Sequence, residues 1–375
     1  MEQENIKSHN VTTTSVYQVK FYLIVLTATI TTVLRFNVLP EKYFFDSNYI
    51  MSLMNHVNHF RFQETFNNTA YWSNFINIFN FSSLLQWNIF YSLIFNPLLF
   101  FILKDVKIPS LPKLIWIYAS IGLLNLYTFQ LSKEIFQFIV YMVIFFVITK
   151  NNKNKFITIT LCISILLLWG FLFRIYFIII AIYSLMICIL IHFYHTRKLR
   201  RGFIPLILIG VWLSLFLLEY IAPHEYHIIL TIHDKLNSHR IDSFYANTII
   251  IDLIPNQGRL SLFMVNYIIS IIRMLFPVEL LFNFRADVFL YIPFLTFQIM
   301  LSYFVFVALK SVLQGKALYK TEISLCLYFG FLLGSALFEP DFGSWIKHEN
   351  TLFPLFIMFI INKYSSDEYN IYSKK

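Results

Sequence analysis

The chain reads as an all-α, polytopic integral membrane protein. Three observations carry that expectation. Only 13% of its 375 residues are charged and 58% are hydrophobic, whereas a soluble domain carries about a quarter charged residues. Long apolar runs recur along the whole sequence, and about 17–25 such residues suffice to cross a bilayer as a helix. Finally, Lys and Arg collect in alternate connecting segments, as cytoplasmic loops require.

The apolar runs predict about ten transmembrane helices, at 21–38, 83–103, 114–130, 135–149, 156–173, 175–194, 203–221, 288–309, 321–338 and 351–363. The first twenty residues are polar, and no small-residue cleavage site follows the first run, so no cleavable signal peptide is expected. With both termini cytoplasmic, the inner segments include KDVKIPSLPK, KNNKNK, HTRKLRRG and KSVLQGKALYK. The inside then holds 18 of the 29 basic residues and 6 of the 20 acids, a net +12 against −3 outside. The overall charge of +9 is thus mostly a topology signal and does not point to nucleic acid. The whole chain is expected to form one transmembrane domain. Its parts are cytoplasmic tails at 1–20 and 364–375, a first outer loop at 39–82 and an outer-face subdomain at 222–287.

That subdomain must cross an even number of times for the later spans to keep their orientation. Its apolar stretch, SLFMVNYIISIIRMLF at 261–276, is therefore expected to be interfacial or re-entrant. Arg259, Asn266 and Arg273 fall within about 40° of one helical stripe, which faces protein, water or headgroups and not lipid.

Basic residues on the outer face run against the topology rule, so each needs a reason. Arg174 lies between two apolar runs with almost no loop, and Lys133 and Glu134 occupy another tight turn. Snorkelling or an interhelical salt bridge accounts for any one of them. As a set they suit an anionic ligand, since guanidinium groups bind phosphate oxygens bidentately. Ionisable residues at membrane depth are costly and often functional. Asp46, just beyond the first span, is either a general base at the interface or an N-cap for a helix through YIMSLMNHVNHF, with His56 and His59 on one face. Neither that pair nor the histidines at 224, 227, 233 and 239 has zinc spacing, so no metal is expected. The three cysteines, Cys162, Cys188 and Cys326, lie far apart in apolar runs and suggest no disulfide framework. No nucleotide- or hydrolase-type motif occurs, and no cofactor is expected.

In layout, and in the stretches KYFFDSNYI, LSKEIFQFIVYMVIFF, NYIISIIRMLFP and FEPDFGSWIKHENTLFPL, the chain resembles the Wzy-type bacterial polysaccharide polymerases. These are cytoplasmic-membrane proteins that join lipid-linked repeat units of O-antigen, capsule or exopolysaccharide. The resemblance implies a membrane-glycosyltransferase-like fold and glycosyl transfer at the outer face. The substrate is then an oligosaccharide on undecaprenyl pyrophosphate, and a flippase and chain-length regulators are the protein partners. Phosphate contact would fall to Arg174, Arg259 and Arg273, with Arg240 and Lys347 behind them, and the base would be Asp46, Asp341 or His348. Many members carry Arg where Lys347 stands, which weakens a bidentate role there. Glycosyltransferases of the C type also place an acid in the first outer loop, which keeps Asp46 in view. Two other readings share this layout: a ligase or monosaccharide transferase using polyprenyl-linked sugars, and a flippase or transporter. Against transport, no clear internal repeat is visible, the chain has only nine glycines and its charges gather at one face.

Overall fold

A computed structural model describes residues 2–40, 44–104, 106, 110–151, 154–196, 203–221, 223–224, 226–231, 248–250, 252–254, 259–281, 288–339 and 341–360. Among these residues the regular structure is helical, with one isolated backbone bridge between Ile249 and Asp341. The chain divides into two compact units, residues 1–139 and 140–375.

Unit 1 holds α1 (Glu2–Asn37), α2 (Phe45–Met54), α3 (Thr65–Ile76), α4 (Leu84–Leu103), α5 (Leu111–Leu123) and the first turns of α6 (Glu134–Lys150). A π-helical turn, Leu124–Thr128, continues α5. A capping box opens α4: Ser83 Oγ accepts from the Gln86 amide, and Gln86 Oε1 accepts from the Ser83 amide. Its other end is closed by Lys20 of α1. The ammonium donates to the carbonyls of Leu103, Lys104 and Val106 at 2.9, 2.9 and 2.7 Å, covering oxygens that a helix end leaves without partners.

The interior of unit 1 is sewn together by amides. Asn88 donates to the carbonyls of Asn125 and Phe129, and its own oxygen accepts from Thr32. Asn125 exchanges hydrogen bonds with Asn96 at 2.9 and 3.0 Å and accepts from Ser92. These bonds converge on the π turn, where the backbone departs from the regular ladder. In a low-dielectric interior such bonds hold helices together, because the alternative is an unmet polar group.

Unit 2 holds the rest of α6, α7 (Lys155–Leu172), α8 (Tyr176–His195), α9 (Phe203–Ile221), α10 (Leu260–Leu275), a 3-10 turn Val278–Leu281, α11 (Val288–Leu313), α12 (Tyr319–Ser335), α13 (Phe342–Asn350) and α14 (Phe353–Ile360). Its centre is the antiparallel pair α8–α12. Contacts step along it four residues at a time: Cys188 against Cys326, Ser184 against Gly330, Ile180 against Gly334, and the ring of Tyr176 against that of Phe338. The pair Gly330 and Gly334 forms a small-xxx-small face that lets the two backbones approach. A Cβ at Gly330 would stand 2.0 Å from Ser184 Oγ and 2.6 Å from the Ser184 nitrogen. Lys155 on α7 pairs with Glu322 on α12 at 2.6 Å.

Six helices are long and apolar enough to cross a membrane: Val16–Asn37, Leu84–Leu103, Lys155–Leu172, Tyr176–His195, Ile204–Ile221 and Ile292–Leu313. The chain is therefore an α-helical, multi-pass membrane protein. The four other expected spans coincide with shorter helices. The first, 114–130, is a 13-residue helix with the π turn, and α6 and α12 have 17 residues each. The last, 351–363, is described as the eight residues of α14. Burial differs as much as length. Only 11% of the α9 window is buried, whereas α12 is buried from Thr321 to Tyr328 and again from Gly330 to Ser335.

The region after the first span departs from expectation. The helix begins at Phe45 with Phe44 at its N-cap, so Asp46 sits inside the first turn and does not cap it. It also ends at Met54, before His56 and His59, so the two histidines share no helical face. The loop that follows is held by Asn68 of α3, whose side chain accepts from the Arg61 amide and donates to the Arg61 carbonyl.

Candidate active site

The stretch EPDFGSWIKHEN folds as a capped helix. The Phe342 amide donates to the Thr248 carbonyl, next to the Ile249–Asp341 bridge. Asp341 Oδ1 then accepts from the Ser344 amide at 2.7 Å and starts α13. Phe342, Trp345, Ile346 and Glu349 recur at helical spacing and form the buried face. The Trp345 ring stacks on Phe331 of α12, and its indole N–H donates to the Met274 carbonyl at the end of α10. Gln298 donates to the same carbonyl and Ser302 to that of Leu275, so side chains from two helices close the end of α10.

Held at both ends and along its face, α13 turns His348 back onto Glu339, two residues before the cap. His348 Nδ1 lies 2.9 Å from Glu339 Oε2, with both side chains largely buried. With Glu339 ionised, Nδ1 carries the proton and Nε2 of the neutral ring keeps its lone pair. That is the arrangement of a general base oriented by a carboxylate. Glu349, one residue further on, is fully buried. Its Oε1 accepts from the Tyr328 hydroxyl at 2.9 Å and the Gln298 amide at 3.2 Å. Burial pushes this carboxyl up to about 8, while the two hydrogen bonds pull the other way.

The expected phosphate contacts meet different fates. Arg174, in the turn between α7 and α8, is 6% exposed and donates to the Tyr176 hydroxyl at 2.7 Å. Tyr176 packs its ring on Phe338 at 5.8 Å, so Arg174 is tied to the residue beside Glu339. Lys347 lies half-buried on α13 next to His348. Arg273 is clamped by Glu279, its Nη2 on Oε1 at 2.5 Å and its Nε on Oε2. Arg259 is exposed at the start of α10. Asn266, from the same stripe, is buried and exchanges hydrogen bonds with both backbone groups of Ile254. The stripe therefore holds one exposed, one buried and one ion-paired residue. Arg240, His233 and His239 lie outside the described residues.

Asp46 belongs to unit 1. It pairs with Lys133 at 3.5 Å, and that ammonium sits 4.4 Å from the Phe66 ring centroid. Among the described residues no group of three His, Cys, Asp or Glu could hold a metal ion.

Asp341, Lys347 and His348 therefore lie together on α13 and its cap, and Arg174 is linked to the α12–α13 corner through Tyr176 and Phe338. Sequence reasoning did not single out Glu339 and Glu349. One signal was available for Glu349: read as a helix, its segment places it on the same face as Phe342, Trp345 and Ile346.

The fold and this corner define an all-helical, multi-pass membrane protein with a buried carboxylate–histidine pair. Compared with known proteins, the chain matches no family model, no curated protein and no solved structure.

Proposed function

We propose that the chain is a bacterial membrane glycosyltransferase that polymerises oligosaccharide repeat units carried on undecaprenyl pyrophosphate. In this reading all ten apolar segments span the cytoplasmic membrane, both termini are cytoplasmic and the α12–α13 corner faces outward. The observation that carries it is the Glu339–His348 pair one residue from Phe338, whose ring meets the hydrogen-bond partner of Arg174.

Glycosyl transfer needs little beyond these groups. An acceptor sugar hydroxyl attacks the anomeric carbon of the donor glycan as the bond from that carbon to the pyrophosphate oxygen breaks. The hydroxyl proton passes to His348 Nε2, and the lipid pyrophosphate leaves with the bonding electron pair. Glu339 stabilises the imidazolium that forms. Arg174 and Lys347 supply positive charge to the departing oxyanion, an effect worth most where water is excluded. Asp341 caps α13 through Oδ1, which favours His348 as the base in this reading. The donor arrives activated, so no nucleotide is consumed.

The test is the lipid-linked glycan profile of the host. Deleting the gene is expected to leave single repeat units on the carrier and no long chains. A His348→Ala variant, inserted at normal levels, is expected to lower chain synthesis by about 10²-fold or more. An unchanged chain-length distribution in that variant overturns the reading.

A further inference from the structure

Unit 1 contains an arginine whose surroundings differ from those of every other charge discussed above. Arg35, in the last turn of α1, is 1% exposed. Its Nη1 donates to the carbonyl of Leu126 in the π turn. The guanidinium lies over the Phe44 ring at 4.6 Å and near Phe36 at 5.7 Å. Its remaining two nitrogens, Nε and Nη2, are buried without a hydrogen-bond partner among the described residues. These two form one edge of the guanidinium, with their N–H bonds parallel. Arg273 uses the same edge, Nε and Nη2, to clamp the two oxygens of Glu279. The fork thus takes a two-oxygen anion in one unit and stands ready for one in the other. A charged donor edge left buried and unmet is costly, as in a buried ion pair that has lost one partner.

The neighbourhood narrows the choice of anion. Val33, Leu34 and Val38 around Arg35 are exposed at 53, 44 and 66%. In a membrane-crossing helix such side chains face lipid. An oxyanion reaching the end of this helix among lipid-facing side chains is a headgroup phosphate. We propose that the Nε–Nη2 edge of Arg35 is an anion site in unit 1 that takes the phosphate of a lipid at the end of α1. The site does not rest on the glycosyl-transfer reading and stands whether or not the chain moves a glycan.

The experiment uses the full chain in a neutral maltoside detergent. Binding is read by native mass spectrometry and by thermal unfolding. The probes are phosphatidic acid, diacylglycerol with the same acyl chains, and inorganic phosphate. Phosphatidic acid is expected to stay bound and to raise the unfolding temperature, and diacylglycerol to do neither. Arg35→Lys keeps the buried charge, so it separates folding from binding. It loses the parallel fork and is expected to bind phosphatidic acid about tenfold more weakly. Arg35→Gln is expected to lose the effect.

Equal binding by all three proteins overturns the site, as does equal stabilisation by diacylglycerol. Inorganic phosphate binding as tightly as the lipid overturns the lipid source. If the chain's own nearest acid in sequence filled the fork, Glu41→Gln would bind phosphatidic acid more tightly than wild type, which overturns an external anion.

Discussion

The two units solve the same problem with different chemistry. Both must join helices whose interiors carry polar side chains. Unit 1 does so with amides: Asn88, Asn96 and Asn125 are buried, neutral and bonded to one another or to backbone. Unit 2 does so with glycine packing at α8–α12, and its inward-facing polar groups include acids and a base, namely Glu322, Glu339, His348 and Glu349. A neutral network met on all sides gives rigidity and nothing to titrate. Ionisable groups in the same setting can change charge, which a transfer reaction requires. The difference teaches that the proposed chemistry is best sought in unit 2, while the buried guanidinium of Arg35 in unit 1, with two unmet donors among the described residues, is better suited to holding an anion than to moving a proton.

The largest expected effect separates the two ways of joining helices. Gly330→Ala sets a methyl 2.0 Å from Ser184 Oγ and 2.6 Å from backbone. Rotating Ser184 relieves the first clash and not the second, so α8 and α12 must part. Overpacking of this kind costs about 3 kcal/mol, and loss of folded protein in detergent chromatography is expected. Asn125→Ala in unit 1 breaks hydrogen bonds to Asn96 and Ser92 but opens space for repacking, at about 2 kcal/mol. If Asn125→Ala proves the more damaging, the amides and not the glycines are the tighter joint.

A smaller effect asks whether titration resides in unit 2. Folding raises the Glu349 carboxyl from an ordinary 4.5 to about 8, so between those values the native state holds a proton that the unfolded chain has released. Stability must therefore fall as pH rises from about 4.5 to about 8 and level off above. Glu349→Gln keeps an oxygen for Tyr328 and Gln298 and never ionises. Its unfolding temperature is expected to exceed that of wild type at pH 8 and to lose this slope. The same slope in both proteins would place the titrating group elsewhere.

How far the sequence reveals this comparison depends on what hydropathy measures. Each expected span meets a helix, because apolar runs of that length have few other solutions in lipid. The same measure cannot separate a helix facing lipid from one facing protein. Thus α9 and α12 looked alike, although α12 is wrapped on nearly all sides and carries Glu322, Ser324 and Tyr328 inside. Tertiary partners decided the candidate site in the same way. Arg273 looked available until Glu279, six residues on, was seen to clamp it. Glu339 looked like one more loop acid until α13 brought His348 back to it. Asp46 was expected to be a cap or a base; one residue of helix and the distant Lys133 made it an ion-pair member.

The smallest expected effect tests the boundary between scaffold and chemistry at α13. Asp341 caps the helix that carries His348, so on the proposed function its loss would lower transfer whether or not it ever touches a proton. The substitutions Asp341→Asn and Asp341→Ala tell these apart. Asn caps about as well as Asp, whereas Ala costs about 1 kcal/mol, roughly 2 °C in unfolding temperature for a chain of this size. If Asp341 only positions α13, the Asn variant keeps both its unfolding temperature and its chain synthesis, and the Ala variant loses some of each. An Asn variant with normal stability and no transfer would make Asp341 the base and reduce His348 to a partner of Glu339. The comparison would survive, since both residues lie in unit 2, but the proton would move at the start of α13 instead of near its end.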